Sequence, residues 1–331
     1  MKSVKIINLS FLLALGIVWQ HSQLPILPST VAHPQFLFML QYTNKMMEVV
    51  VPCFFFISGY LFFRNYTPAD FLKKLRTRLR SLLVPYLLWN AIFAAAWYLA
   101  IKFIPNQYIS DQYPFDSILD VIVGIVSCQY TVLWYVGVIF VYALIAPLLW
   151  LMVRRKKLFP VWLVVTCVIC LVFRHPFCSP VLWLPIYLAG AYAGVHHKDF
   201  LFGEQPLFLT IPSLILFPIA FYWDCFRPSN LSMNIVQWIG PTLCIGIYDI
   251  VNRLHTVPSL SFFKYSFFLY AMHYMPLHIL ERMCLMLWLH PYAPYVAYFG
   301  APLVVTVFVI LVAHLTDRRL PRLYSLLSGG R

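Results

Sequence analysis

The sequence predicts an all-α polytopic membrane protein of about ten transmembrane helices with both termini cytoplasmic. Three observations carry that prediction. The 331 residues are 62% hydrophobic and only 11% charged, where a soluble domain carries about 25% charged residues, and the mean hydropathy is +0.78. Ten apolar stretches come near the roughly 20 residues that a helix needs to cross about 30 Å of hydrocarbon. Lysine and arginine then alternate between rich and poor connections, as the positive-inside rule requires.

Taken in order, the first stretch, 4–21, follows Lys2 and Lys5 and ends on Trp19-Gln20-His21. A basic start before an apolar run resembles a secretory signal, but bulky residues stand where a cleavage site needs small ones, so the segment is expected to remain as the first helix. The second, 46–63, is the aromatic block Val51-Pro52-Cys53-Phe54-Phe55-Phe56-Ile57-Ser58-Gly59-Tyr60. A basic run precedes the third, 82–104. The stretch 117–128 is too short to span and reads as re-entrant or interfacial. The fourth, 132–153, opens on Leu133-Trp134-Tyr135 and closes on Arg154, Arg155, Lys156 and Lys157. The remaining six are 158–173 (short), 180–196, 206–223, 233–250, 262–280 and 296–316.

With the N-terminus inside, nineteen of the twenty-four Lys and Arg residues fall on the inner side. Lys45, Lys102, Arg174, Arg227 and Arg282 are the outer exceptions. An eleventh span at 117–128 would move the Arg154–Lys157 cluster outward and break the bias. The same distribution explains the net charge of +13, so no nucleic-acid partner is expected. One integral-membrane domain is expected to fill residues 1–331, its helical core at about 5–316, with no appended soluble domain, repeat or linker. Cys128, Cys178, Cys225 and Cys284 lie near outer loops, where a disulfide forms in an oxidising compartment. Cys167 and Cys170, one turn apart, read as packing residues, and no metal site is expected.

Some residues in these spans bear chemistry. His21 sits at the outer end of the first helix, and an imidazole at that depth is a functional candidate as well as an interfacial hydrogen-bonding group. Ser58-Gly59 is a small pair in an aromatic wall, suited to helix packing or to close approach of a ligand. In the run Phe71–Tyr86, Leu72, Leu75, Leu79 and Leu82 form one apolar helical face beside Lys73, Arg76 and Arg80, with Lys74 and Arg78 adjoining. Such a helix suits an anionic membrane surface or a phosphorylated ligand. Trp134 and Tyr135 read as interface anchors or cavity wall. His273 lies inside the ninth span, as a helix-to-helix hydrogen bond or a functional group. Asn90 and Asp249 are interior polar residues with no evident role.

The order of these features resembles the membrane acyltransferase-3 family: a histidine ending the first helix, VPxFFFISGYLF, a basic run closing on LLxPYLLW, then LWY, and finally SFFLYxxH. The resemblance covers about residues 5–316. It implies an inner-membrane O-acyltransferase that takes an acyl group, commonly acetyl, from cytoplasmic acyl-CoA and places it on a carbohydrate hydroxyl at the outer face. It implies His21 as the catalytic histidine, donor binding by the run containing Lys73, Arg76, Arg78 and Arg80 without singling out one of them, and His273 as the late-span histidine. The sequence departs from the family at Ser10, where many members carry a basic residue.

Sixteen residues separate Lys5 from His21, about 24 Å of helix at about 1.5 Å per residue. The basic surface and the histidine therefore lie at opposite depths. A two-sided enzyme is expected, with acyl-CoA as co-substrate and no bound cofactor. His21 acts either as general base or as acyl carrier. Ser58, Trp134 and His273 are the candidates for stabilising the oxyanion, and Ser58, Gly59, Trp134, Tyr135 and His273 for lining or supporting the cavity. The expected partners are acyl-CoA, a carbohydrate or glycolipid acceptor and the bilayer. A transporter or flippase of a lipid-linked sugar, or a non-catalytic partner in polysaccharide export, is the alternative. The loop 105–131 carries Asp111, Asp116 and Asp120 and no Lys or Arg, an acidic patch that either disfavours an anionic acceptor or is simply a solvated loop.

Overall fold

The computed structural model describes residues 4–22, 34–103, 115–172, 180–287 and 290–330. The described residues are helical, with no strand among them. The α-helices are α1 (Val4–Gln20), α2 (Pro34–Met47), α3 (Val50–Phe63), α4 (Phe71–Arg78), α5 (Val84–Phe103), α6 (Ile118–Ser127), α7 (Trp134–Leu144), α8 (Ala146–Val153), α9 (Phe159–Val172), α10 (Pro180–His196), α11 (Leu207–Phe226), α12 (Asn230–Leu254), α13 (Ser266–Met272), α14 (Tyr274–Leu287), α15 (Ala293–Arg319) and α16 (Pro321–Ser328).

Four helical runs among the described residues are long and apolar enough to cross a membrane: Pro34–Phe63, Pro68–Phe103, Leu207–Phe226 and Ala293–Arg319. A fifth is reached if α7 and α8, bent by 75°, count as one. Val4–Gln20, Ile118–Ser127 and Phe159–Val172 are shorter apolar helices. The polarity is inverted relative to a soluble protein. Phe208 on α11 is 73% exposed while Lys5, Asn90, Asp224, Asp249 and Glu281 are buried. Apolar surface turned outward over polar groups turned inward is what a hydrocarbon solvent selects.

Several expected spans are interrupted, each beside a proline. The stretch 132–153 bends at Ile145, because Pro147 has no N–H and its ring crowds the carbonyl four residues back. The stretch 262–280 is a 3₁₀ turn (Ser261–Tyr265), then α13, then α14, with the break at His273 just ahead of Pro276. Between α4 and α5 the chain relaxes into a π turn at Leu79–Leu83, where Pro85 cannot continue the regular ladder. The stretch 46–63 extends backward through α2, with a two-residue break at Glu48-Val49.

α3 packs on α10 through glycines. A Cβ at Gly59, Gly190 or Gly194 would collide with a backbone carbonyl of the facing helix, at Tyr187, Phe56 and Tyr60 respectively. This close approach brings the α3 backbone within van der Waals reach of α10. α1 lies across α3, α13 and α15, with Phe11 stacked on Phe263 at 4.4 Å between ring centroids. Gly16 lets α1 close onto Met47 and Val50, at the break between α2 and α3.

Candidate active site

The end of α1 is held by buried polar contacts. The Ser22 hydroxyl donates to Glu281 Oε1 at 2.5 Å, and Glu281, fully buried on α14, lies 3.4 Å from His278 Nδ1. His21, between α1 and Ser22, is half-buried. Its ring centroid is 5.3 Å from that of His273 and 5.5 Å from that of Tyr274. His273 is fully buried, and its Nδ1 donates to the Tyr270 carbonyl at 2.9 Å, shared with Leu269 at 3.2 Å. Two carbonyl acceptors place the proton on Nδ1 and leave Nε2 a bare lone pair. That Nε2 has no hydrogen-bond partner among the described residues. The break at His273 thus aims an imidazole at the end of α1.

A cavity of about 860 Å³ starts at His21. It touches α1 from Ile6 to His21, a run of about 22 Å at about 1.5 Å per residue. At the histidine end it is lined by Gln20, Glu48 and Gln237; at the other by Thr77, Arg78, Ser81, Lys264 and Gly330. Phe54, Trp134, Tyr135, Trp183 and Tyr270 also line it. Arg78 lies 5.3 Å over the ring of Phe62, near the end of α3, which fixes the cationic end far from Glu48 at the start of the same helix.

The four basic residues expected to bind the donor separate here. Only Arg78 lines the cavity; Lys73, Arg76 and Arg80 are exposed and lie outside its wall. Arg78 has no acidic partner and no side-chain hydrogen bond among the described residues. Ser10 faces the cavity and supplies no cation. Lys5 cannot replace it: its ammonium is buried at 2.7 Å from Asp249 and 2.8 Å from the Gly203 carbonyl. Lys264 does reach the cavity, paired at 2.8 Å with Asp317.

Ser58 and Tyr135 form a chain within the wall. Tyr135 donates to the Phe54 carbonyl at 2.9 Å, and the Ser58 hydroxyl lies 2.7 Å from the Tyr135 oxygen. The single phenolic proton is directed at the Phe54 carbonyl, so Ser58 is the donor to Tyr135 and has no proton left for an oxyanion. His273 likewise has its one N–H engaged. Of the three expected oxyanion stabilisers, Trp134 alone keeps a donor: it lines the cavity and its indole N–H has no hydrogen-bond partner among the described residues. Gly59 lies at the α3–α10 contact and not in the cavity wall. Asn90 and Asp249 acquire structural roles. Asn90 accepts from Thr131 at 3.0 Å, which positions the entry to α7, and Asp249 neutralises Lys5.

Sequence reasoning missed Glu48, Gln237 and Lys264. Glu48 is the one acidic residue of the stretch 46–63, and an ionisable residue at membrane depth is a signal in its own right. Nothing in the local pattern marked Gln237 or Lys264. The described cysteines are all free; Cys178 lies outside the described residues.

The family model for the acyltransferase domain of acyltransferase-3 proteins matches residues 6–315. The chain is also similar to the succinoglycan biosynthesis protein ExoH of Rhizobium meliloti (strain 1021), at 24% identity over 307 residues that cover 87% of this chain and 80% of that protein. No solved structure matches it.

Proposed function

Since the chain belongs to the acyltransferase-3 family and is a membrane-bound acyltransferase, we propose that it carries an acyl group from cytoplasmic acyl-CoA to a carbohydrate hydroxyl across the membrane. Acetyl is the simplest acyl group of this kind. The carbohydrate acceptor is supported by the similarity to a protein of succinoglycan biosynthesis. The observation that carries the reading is one cavity with an arginine that has no acidic partner among the described residues at one end and a histidine at the other. The proposal includes about ten crossings of the cytoplasmic membrane with both termini inside, which puts Arg78 on the donor side and His21 on the acceptor side.

In this mechanism Arg78 and Lys264 take the phosphates of coenzyme A. Arg78 contributes charge-assisted, bidentate hydrogen bonds, and Lys264 supplies the second cation that Ser10 does not. The pantetheine arm and thioester extend along the aromatic wall toward His21. The His21 imidazole accepts the proton of the acceptor hydroxyl as its oxygen attacks the thioester carbonyl. The Trp134 N–H is the donor to the developing oxyanion. Collapse breaks the C–S bond, and the departing thiolate takes the proton from His21. His273 positions His21: its bare Nε2 favours an N–H on the facing ring, leaving the opposite nitrogen of His21 basic. The aromatic wall keeps water from the thioester.

The direct test uses membranes expressing the protein, acyl-labelled acetyl-CoA and a cell-envelope glycan fraction. Label should pass to glycan with wild type and fall by about 10³-fold with His21→Ala, within the range for loss of a general base, at equal membrane insertion. Equal transfer by both would remove His21 from the mechanism. Accumulation of label on the protein in the absence of acceptor would convert His21 from base to acyl carrier.

A further inference from the structure

Lining the same cavity as His21 is a polar cluster that neither the donor nor the acyl-transfer step uses. Glu48 occupies the two-residue break between α2 and α3 and faces the cavity. Among the described residues its buried Oε2 has no hydrogen-bond partner, and no side chain donates to the carboxylate. The obvious neutralising group is already engaged. Lys45, one turn earlier, sits 2.6 Å from Asp224 Oδ2 and 2.7 Å from the Asp224 carbonyl, while Ser232 holds the other carboxylate oxygen at 2.6 Å. Gln20 and Gln237 line the same end of the cavity, and neither makes a side-chain hydrogen bond among the described residues. Gln237 is nevertheless only 3% exposed.

A buried carboxylate oxygen without a donor is costly. A folded protein keeps such a group where something else supplies the hydrogen. The arrangement is a carboxylate, which only accepts, flanked by two amides, which both donate and accept. Hydroxyl pairs on a sugar ring satisfy all three, because each hydroxyl gives one hydrogen and offers lone pairs. A second carboxylate in the ligand would face Glu48 with like charge, and the neighbouring cation, Lys45, is already paired with Asp224.

Resting on the acyl-transfer reading above, we infer that Glu48, Gln20 and Gln237 form the acceptor subsite and select a neutral sugar, holding its hydroxyls so that one of them meets His21. Glu48 is then a specificity residue for the acceptor. The break between α2 and α3 exists at this point to turn that carboxylate into the cavity, and Gly16 lets α1 approach it closely enough for His21 to share the ligand.

The test measures binding apart from turnover. Trp134 and Trp183 line the cavity, so intrinsic tryptophan fluorescence of the purified protein in lipid nanodiscs can be titrated with neutral gluco- and galacto-oligosaccharides and with their uronic-acid counterparts. Wild type should bind at least one neutral sugar saturably and its uronate at least tenfold more weakly. Glu48→Gln should weaken the neutral sugar about tenfold and bring the uronate within about threefold of it. Gln237→Ala, which leaves the helix break untouched, should weaken the neutral sugar by a similar factor and leave the preference over the uronate unchanged. In membranes, Glu48→Gln should raise the acceptor KM with the acetyl-CoA KM within twofold. Equal affinity of wild type for neutral and anionic sugars overturns the subsite, as does a Glu48→Gln protein with unchanged acceptor binding, while label transfer by wild type leaves the acyltransferase reading standing. Glu48-dependent sugar binding with no label transferred from acetyl-CoA or any other acyl-CoA would retain the subsite and overturn the transfer reaction instead.

Discussion

The two ends of the cavity are built on different physical principles. Around the end of α1, several of the polar groups are buried and tied to one another. Ser22 is bonded to Glu281, Glu281 lies beside His278, and His273 is anchored to the Tyr270 carbonyl. Such a network holds its members in one geometry, because every member that shifts leaves a partner unsatisfied in a low-dielectric interior. At the cationic end the chain presents a helix with no buried residue, α4, followed by a π turn. Of its basic residues Arg78 alone reaches the cavity. The contrast fits a division of labour: chemistry needs a fixed imbalance of lone pairs, whereas gripping a polyanion needs unpaired charge near an opening.

The same lesson appears in two lysines. Lys5 and Lys264 each sit beside a carboxylate, but the Lys5–Asp249 pair is buried, with both side chains 9% exposed, while the Lys264 side chain is 54% exposed. A buried pair separated from one partner costs about 3–5 kcal/mol, so Lys5 is structural. An exposed pair holds its partner by about 0–1 kcal/mol, so Lys264 is free to exchange Asp317 for a phosphate.

This contrast can be broken or sharpened at each end. The largest loss belongs to His21→Ala, as given above. Next is His273: replacement by Ala should lower kcat about 10²-fold with both KM values within about threefold, since its contact is with His21 and not with substrate. His273→Asn, which restores a side-chain acceptor, should recover part of the rate, and failure of any acceptor to do so would reduce His273 to packing. Arg78→Ala should raise the acetyl-CoA KM by about 10- to 100-fold, the value of a charge-assisted hydrogen bond of about 1.5–3 kcal/mol, and Arg78→Lys should recover only part of it. Lys264→Ala should raise that KM about threefold to tenfold. Arg76→Ala and Arg80→Ala should change it by less than twofold. Equal effects of Arg76, Arg78 and Arg80 would mean that the donor rests on the surface of α4 and not in the cavity.

Much of this was legible from residue order. His21 was a candidate because an imidazole at the end of an apolar run is either functional or an interfacial hydrogen-bonding group, and the motifs around it carried the family. The interruptions were less legible. Pro147 and Pro276 lie inside runs whose hydropathy stays high, so the apolar pattern continues across breaks that the backbone cannot. Gly59 illustrates a reading that local sequence leaves open, since ligand approach and helix packing both call for a missing side chain. Only the position of α10 resolved it.

By itself, then, the sequence determined an apolar, helical chain with basic connections, a histidine at one end of its first helix and a basic run beyond its second apolar stretch. Those properties reside in composition and spacing. Only the tertiary structure decided which cation meets the cavity, that Lys5 is neutralised by Asp249, that the Ser58 hydroxyl is hydrogen-bonded to Tyr135, and that Glu48 faces the cavity with no side-chain donor among the described residues. Each of these depends on the phase and packing of helices distant in sequence, and a one-residue change of helical phase turns a side chain by about 100°.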